Sequence, residues 1–266
     1  LDVDGDAQFR KNLYLPDTNE NETVGIIYKV GDDGSLSRFI HNSGSIENTF
    51  VGLDAGAGFN FNNPVAGGNT GIGSQALFSN EDGQLNTAVG DSALAVSNGS
   101  NNTAVGALAL NDNLSGSGNT AVGHVALFAM RSGSGNTAIG QFAGHDANFA
   151  ITTGNNNTFL GFKASLGNLT ERNNATAIGA NAKVDASDAL VLGDSTVRVG
   201  IGTTSPSQKL EIAGGGIKFT TPGTRPVTCD ESIRGLIWFT NVGAGQTDSL
   251  AICVKMLNIY SWRPLY

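Results

Sequence analysis

The sequence predicts an all-β chain: a parallel β-solenoid with rungs of about 17 residues, followed by a small β-rich C-terminal domain. Three observations predict it. A pentad, Asn-Thr-x-aliphatic-Gly, recurs eight times at steps of 16 to 21 residues. Within each copy Thr and the aliphatic residue stand two apart, the period of a strand. The composition is rich in turn formers, with 37 Gly and 28 Asn among 266 residues, while charged residues are only 14% and Pro numbers 6. That composition excludes a coiled coil, and the lack of a strict Gly triplet excludes collagen.

The copies are Asn48–Gly52, Asn69–Gly73, Asn86–Gly90, Asn102–Gly106, Asn119–Gly123, Asn136–Gly140, Asn157–Gly161 and Ala175–Gly179, the last without its Asn. Seven positions after each start stands an alanine: Ala55, Ala76, Ala93, Ala109, Ala126, Ala143, Ala164 and Ala182. A unit this short cannot hold the helical hairpin of the common α-repeats, which needs about 33 residues. Each rung therefore reads as a strand, a bend at the Gly, a second short strand carrying the Ala, and a loop. Asn111–Gly118 shows the loop composition. The longer repeats at 48–68 and 136–156 place their extra residues in that loop, where a solenoid tolerates insertions.

Two short strands per turn enclose little interior. One rung offers too little apolar area to offset the entropy of ordering it. Parallel copies of the chain are therefore expected to pack their small-residue alanine faces around a shared axis, three to an assembly. Stacked Asn side chains would add amide ladders.

The string Asn-Thr-Ala-Val-Gly followed by Ala-Leu, as at Asn102–Leu108, resembles the head repeats of trimeric autotransporter adhesins of the Yersinia adhesin type. It is also similar to repeats in trimeric fibres of phage tails and related injection particles. The resemblance covers residues 46–193, all eight copies. It implies three single-chain β-rolls side by side, located outside the cell, on a cell surface or on a virion or injection particle.

The flanks divide into an N-terminal β connector (1–45), a second connector (194–222) and a C-terminal tip (223–266). Residues 23–45 alternate as strands around a hairpin turn at Gly31–Gly34. The second connector contains Val199-Gly-Ile-Gly-Thr-Thr-Ser-Pro and resembles segments of bacterial and phage fibre-like proteins. Its Leu210–Gly214 echoes Leu1–Gly5, a pattern that would permit end-to-end stacking into filaments. In the tip, strands are expected at Gly235–Thr240, Leu250–Lys255 and Asn258–Arg263. Cys229 and Cys253 would pair in an exported chain and stay as thiols in a cytosolic one. Trp238, Tyr260, Trp262 and Tyr266 read either as the core of a small domain or as a contact surface for a glycan or protein receptor.

A net charge of −8 and the absence of a basic block argue against nucleic acid as a partner. The apolar stretches are too short for insertion into a membrane. His41, His124 and His145 lack metal-ligand spacing. Asp2-Val-Asp4-Gly-Asp6 fails as a calcium loop, because Ala7 and Leu13 stand where Gly and Glu are needed. Gly200-Ile-Gly202 lacks the strand–helix setting of a nucleotide site. The Asn-x-Ser/Thr triplets at Asn98, Asn101, Asn113, Asn156, Asn168 and Asn174 are expected by chance in so Asn-rich a chain. No cofactor and no catalytic residue is expected. The expected function is a structural, adhesin-like homotrimeric fibre that projects its terminal domain for attachment. A ligand-free filament spacer and a fibre-borne glycan-cleaving enzyme are the alternatives.

Overall fold

The computed structural model describes residues 27–30, 36–41, 48–59, 66–145, 153–168, 171–214, 228–240, 249–256 and 259–265. The chain forms two compact units, residues 1–198 and 199–266. Among the described residues the regular structure is β throughout, apart from one 3-10 turn at Glu231–Ile233.

The first unit is a parallel β-solenoid. Its main sheet has 11 strands. Ile27–Val30 and Leu36–His41 form an antiparallel pair, and Leu36–His41 lies antiparallel to Thr49–Val51. From there the strands run parallel and in exact repeat alignment: Thr87 faces Thr103, Ala88 faces Ala104 and Val89 faces Val105. The last strand, Leu190–Leu192, pairs with Thr176–Ile178. It belongs to a ninth copy, Ala189-Leu-Val-Leu-Gly193, which has lost both Asn and Thr.

The alanine stripe lies inside the coil, not on the face expected to meet other copies. Ala76, Ala93, Ala109 and Ala126 are wholly buried within the single chain. They sit in the turn after the Gly, and the second strand begins later, at Val96–Ser97, Asp112–Asn113, Ser165–Leu166 and Lys183–Val184. The residue after each of the four alanines above is Leu77, Leu94, Leu110 or Leu127, also wholly buried. These leucines adopt the left-handed backbone, φ 49–53°, a conformation costing about 1–2 kcal/mol for a residue with a side chain. Burying a leucine recovers about 1.5–3 kcal/mol, so the core outweighs the strain.

Volume is traded between neighbouring rungs. Where the central strand residue is Phe50 instead of Ala, the leucine position holds Gly56 and the next strand centre holds Gly71. A Cβ would come within 2.7 Å of the Phe50 ring at Gly56 and within 2.9 Å at Gly71. Close packing requires this compensation.

The Asn residues make a continuous ladder. Asn119 Oδ1 accepts from the backbone N–H of Asn136 at 2.9 Å, and Asn119 Nδ2 donates to Gly133 O at 2.7 Å. The same two bonds recur at Asn69, Asn86, Asn102, Asn136 and Asn157. A second ladder runs in the opposite sense two residues earlier. The N–H groups of Gln84, Ser100 and Ser117 donate to the hydroxyls of Ser100, Ser117 and Ser134, each at 3.1 Å. These ladders satisfy backbone groups that the narrow coil removes from water.

In the second unit, Val199–Ile201 and Leu210–Ile212 pair in parallel. Glu211, in the second of these strands, accepts from Ser207 N–H at 2.6 Å and from its hydroxyl at 2.8 Å, and these bonds hold the Glu211 carboxyl below its ordinary pKa. A separate antiparallel sheet joins Ile237–Thr240, Ser249–Met256 and Ile259–Pro264. The calcium-loop candidate, the Leu1–Gly5 echo and the turn at 31–34 lie outside the described residues, as do 60–65 and 146–152 of the lengthened repeats.

Candidate self-association surface and C-terminal contact face

The strand triplet Thr-x-aliphatic points its centre inward and its two flanks outward. Thr and the aliphatic residue therefore form two columns on the outer face of the nine parallel strands. The aliphatic column runs from Val51 through Ile72, Val89, Val105, Val122, Ile139, Leu160 and Ile178 to Leu192. Ile72, Ile139, Leu160 and Leu192 are 42–45% exposed. No charged side chain interrupts either column. At the usual strand spacing, nine strands extend the stripe about 38 Å. A continuous apolar stripe of this length exceeds the scattered exposure normal on a monomer, which makes this face a candidate interaction surface.

A column of glycines runs beside it. Gly90, Gly106, Gly123 and Gly140 have φ 129–137°, and a Cβ on any of them would come within 2.6–2.7 Å of the next glycine's carbonyl carbon. The bend after each strand is one requirement for these glycines. The close stacking between rungs is a second requirement, one that exists only once rungs lie on one another.

The C-terminal sheet brings together three of the four aromatic candidates. Trp238 pairs with Ala251, Trp262 with Cys253 and Tyr260 with Lys255, so all three rings share one face. Each is half-buried, and Tyr266 lies outside the described residues. Cys229 and Cys253 form a disulfide with Cα atoms 5.5 Å apart. Beside it, Gly235 N–H donates to Cys253 O at 2.8 Å, and Cys253 N–H donates to Leu236 O at 3.0 Å. Asp230 opens the 3-10 turn by accepting from Ser232 N–H at 2.9 Å and from its hydroxyl at 2.6 Å. The hydroxyl bond, then the backbone bond, hold its carboxyl below the ordinary range.

Polar groups stand next to the rings. Lys255 Nζ lies 5.1 Å from the Tyr260 ring centre and 3.9 Å from Glu231 Oε2, while Arg234 Nη1 lies 3.4 Å from Glu231 Oε1. Trp238 Nε1 is buried with no hydrogen-bond partner. The opposite face carries Ile237, Ile252, Val254, Met256 and Ile259, with Ile259 70% exposed.

His124 and His145 lie in the first unit among phenylalanine rings, and the C-terminal aromatics belong to the second unit. Among the described residues no group of three His, Cys, Asp or Glu side chains could hold a metal ion, and no helix is long and apolar enough to cross a membrane. The geometry defines a repeat protein of the parallel β-solenoid class with an exposed aliphatic stripe. Compared with protein-family models, curated proteins and solved structures, the chain matches none.

Proposed function

We propose that the chain is a structural subunit of a homotrimeric, adhesin-like fibre that presents its C-terminal unit for surface attachment. The observation that carries this reading is the aliphatic stripe on the outer face of the roll. The coil already buries its alanines, so the surface that needs covering is the Thr and aliphatic face. Three copies placing that face on a common axis would remove it from water. The likeness of the repeats to trimeric adhesin and phage-fibre repeats supports the number three.

The attachment role rests on the half-buried Trp238, Tyr260 and Trp262 beside Lys255 and Glu231, a mixed aromatic and polar face suited to a glycan or protein receptor. Three such faces on one rod would reinforce one another by avidity. The Cys229–Cys253 disulfide fits an oxidising location outside the cell or on a virion or injection particle. We assign the chain no catalytic role. A second reading, stacking into filaments, is favoured by Leu190–Leu192, the edge strand of the roll, where Leu190 is 59% exposed.

Light scattering on the dilute full chain tests both readings. A discrete species of about three times the 27.3 kDa chain mass is expected. Ile139→Asp combined with Leu160→Asp should bring it to the single-chain mass with the roll still folded, because three sets of carboxylates would meet in one dry contact. A folded wild-type monomer overturns the proposal, and a concentration-dependent series of large masses selects the filament.

A further inference from the structure

We infer that an aromatic and histidine corner on the Asn119, Asn136 and Asn157 rungs sets the height at which sibling rolls lock together. This rests on the self-associating reading above.

The need arises from the regularity of the stripe. Every rung presents Thr and an aliphatic residue at the same spacing. Sliding one copy along another by one rung, about 4.8 Å, exchanges like for like. Of nine strands, only the terminal one is uncovered. A uniform stripe therefore supplies affinity with little choice of alignment. Strands lacking a distinguishing pattern slip for the same reason, and coiled coils cure it with one irregular residue.

The corner is such an irregularity. The His124 and Phe142 rings meet edge-on at 5.5 Å, and Phe128 and His145 do so at 5.6 Å. Phe142 stacks on His145 at 6.3 Å and meets Phe162 edge-on at 6.3 Å. Lys163 Nζ stands 5.1 Å from the Phe162 ring centre and 5.9 Å from that of Phe142. Phe162 is 42% exposed.

Two other rungs act as an internal control. At the offsets of His124, Phe142, Phe162 and Lys163, the Asn69 and Asn86 rungs carry Ser74, Gln75, Asp91 and Ser92. The backbone is the same: φ is 56° at Gln75, 53° at Ser92, 59° at Phe142 and 57° at Lys163. The fold thus accepts polar residues at these positions and does not demand aromatic ones. Location indicates the occupant. Phe162 follows Leu160, and His124 follows Val122, with one glycine between, so the corner borders the stripe. A second copy seated on the stripe is the partner within reach. A cluster confined to three rungs matches one height on that partner, and every slipped alignment would set the Lys163 cation or the open rings against the wrong rung.

The test uses the full chain carrying Asp91→Cys. Its native cysteines are already bridged, so a spin label goes to the introduced thiol alone, and label-to-label distances report alignment. One narrow distance is expected when the corner is intact. With His124→Ser, Phe142→Ser and Phe162→Ser added, the assembly should keep its mass while the distribution broadens toward longer distances, because each axial slip of about 4.8 Å adds in quadrature to the lateral separation. Phe162→Ser alone serves if the triple variant fails to fold, and it should broaden the distribution in the same way. An unchanged single distance in an assembled, folded variant overturns this inference and leaves the self-associating reading standing. Glycan-induced shifts of His124 or Phe142 resonances in the assembled protein also overturn it, since they would show the corner open to a sugar. A wild-type monomer removes the underlying reading and this one with it.

Discussion

Gly123→Ala is expected to destabilise the roll by about 4 kcal/mol, from backbone strain and steric overlap acting together. Gly123 has φ 130°, a region essentially reserved for glycine. Its added Cβ would lie 2.6 Å from the carbonyl carbon of Gly140 and 3.0 Å from Gln141 N. Both neighbours are backbone in the next rung and cannot rotate away as a side chain would. The strands above and below would have to part, and the loss would spread because each rung is held mainly by its neighbours. Urea unfolding followed by circular dichroism measures the shift. Gly118→Asn is the paired control. Gly118 also has a positive φ, 69°, but its nearest outside atom is Gly135 N at 3.9 Å. The equivalent position is Asn101, Asn156 and Asn174 on other rungs, with φ 55–61°. A change within about 0.5 kcal/mol is expected there. Equal losses at both sites would show that the backbone angle alone, and not rung stacking, explains the glycine column.

Asn119→Ala should cost about 3 kcal/mol, because it strands two buried backbone groups at once. The amide is wholly buried. Without it Asn136 N–H loses its acceptor and Gly133 O loses its donor, and water cannot replace either inside the ladder. The converse change should stabilise. Ala175 occupies the Asn position of its rung and is equally buried, so the ladder stops when Asn157 Oδ1 accepts from Ala175 N–H. Ala175→Asn would offer an acceptor to Ala189 N–H and extend the ladder by one rung, a gain of about 1 kcal/mol. The two midpoints should move in opposite directions in the same urea series. A neutral Asn119→Ala would mean the side-chain ladder adds nothing beyond the strands.

Several features of the fold could be read from particular residues. The Asn-Thr-x-aliphatic-Gly pentad announced parallel rungs because identical residues at one offset can stack only on one another. The last forty residues, with their aromatics and cysteines, announced a different small sheet. Other features were hidden. The serine ladder left a signal, Ser100, Ser117, Ser134 and Ser187 at one offset, but in a Ser-rich loop that reads as turn chemistry. Leucines in the left-handed conformation run against local propensity, and only burial explains them. The ninth rung, Ala189–Gly193, had lost the two residues that identify the others.

The candidate surface shows the same division. Period, rung length, the need for glycine and the aliphatic character of the fourth pentad position follow from the order of residues alone, since each depends on local geometry or on a repeat stacked upon itself. Which face of the coil is open does not. Alanine and valine are both apolar, and a repeat of either could have lined the inside. The path of the chain decided it: a coil this narrow admits the alanine at the strand centre together with one leucine from the turn. The flanking aliphatic residues, two apart on the opposite side of the pleat, are left facing outward.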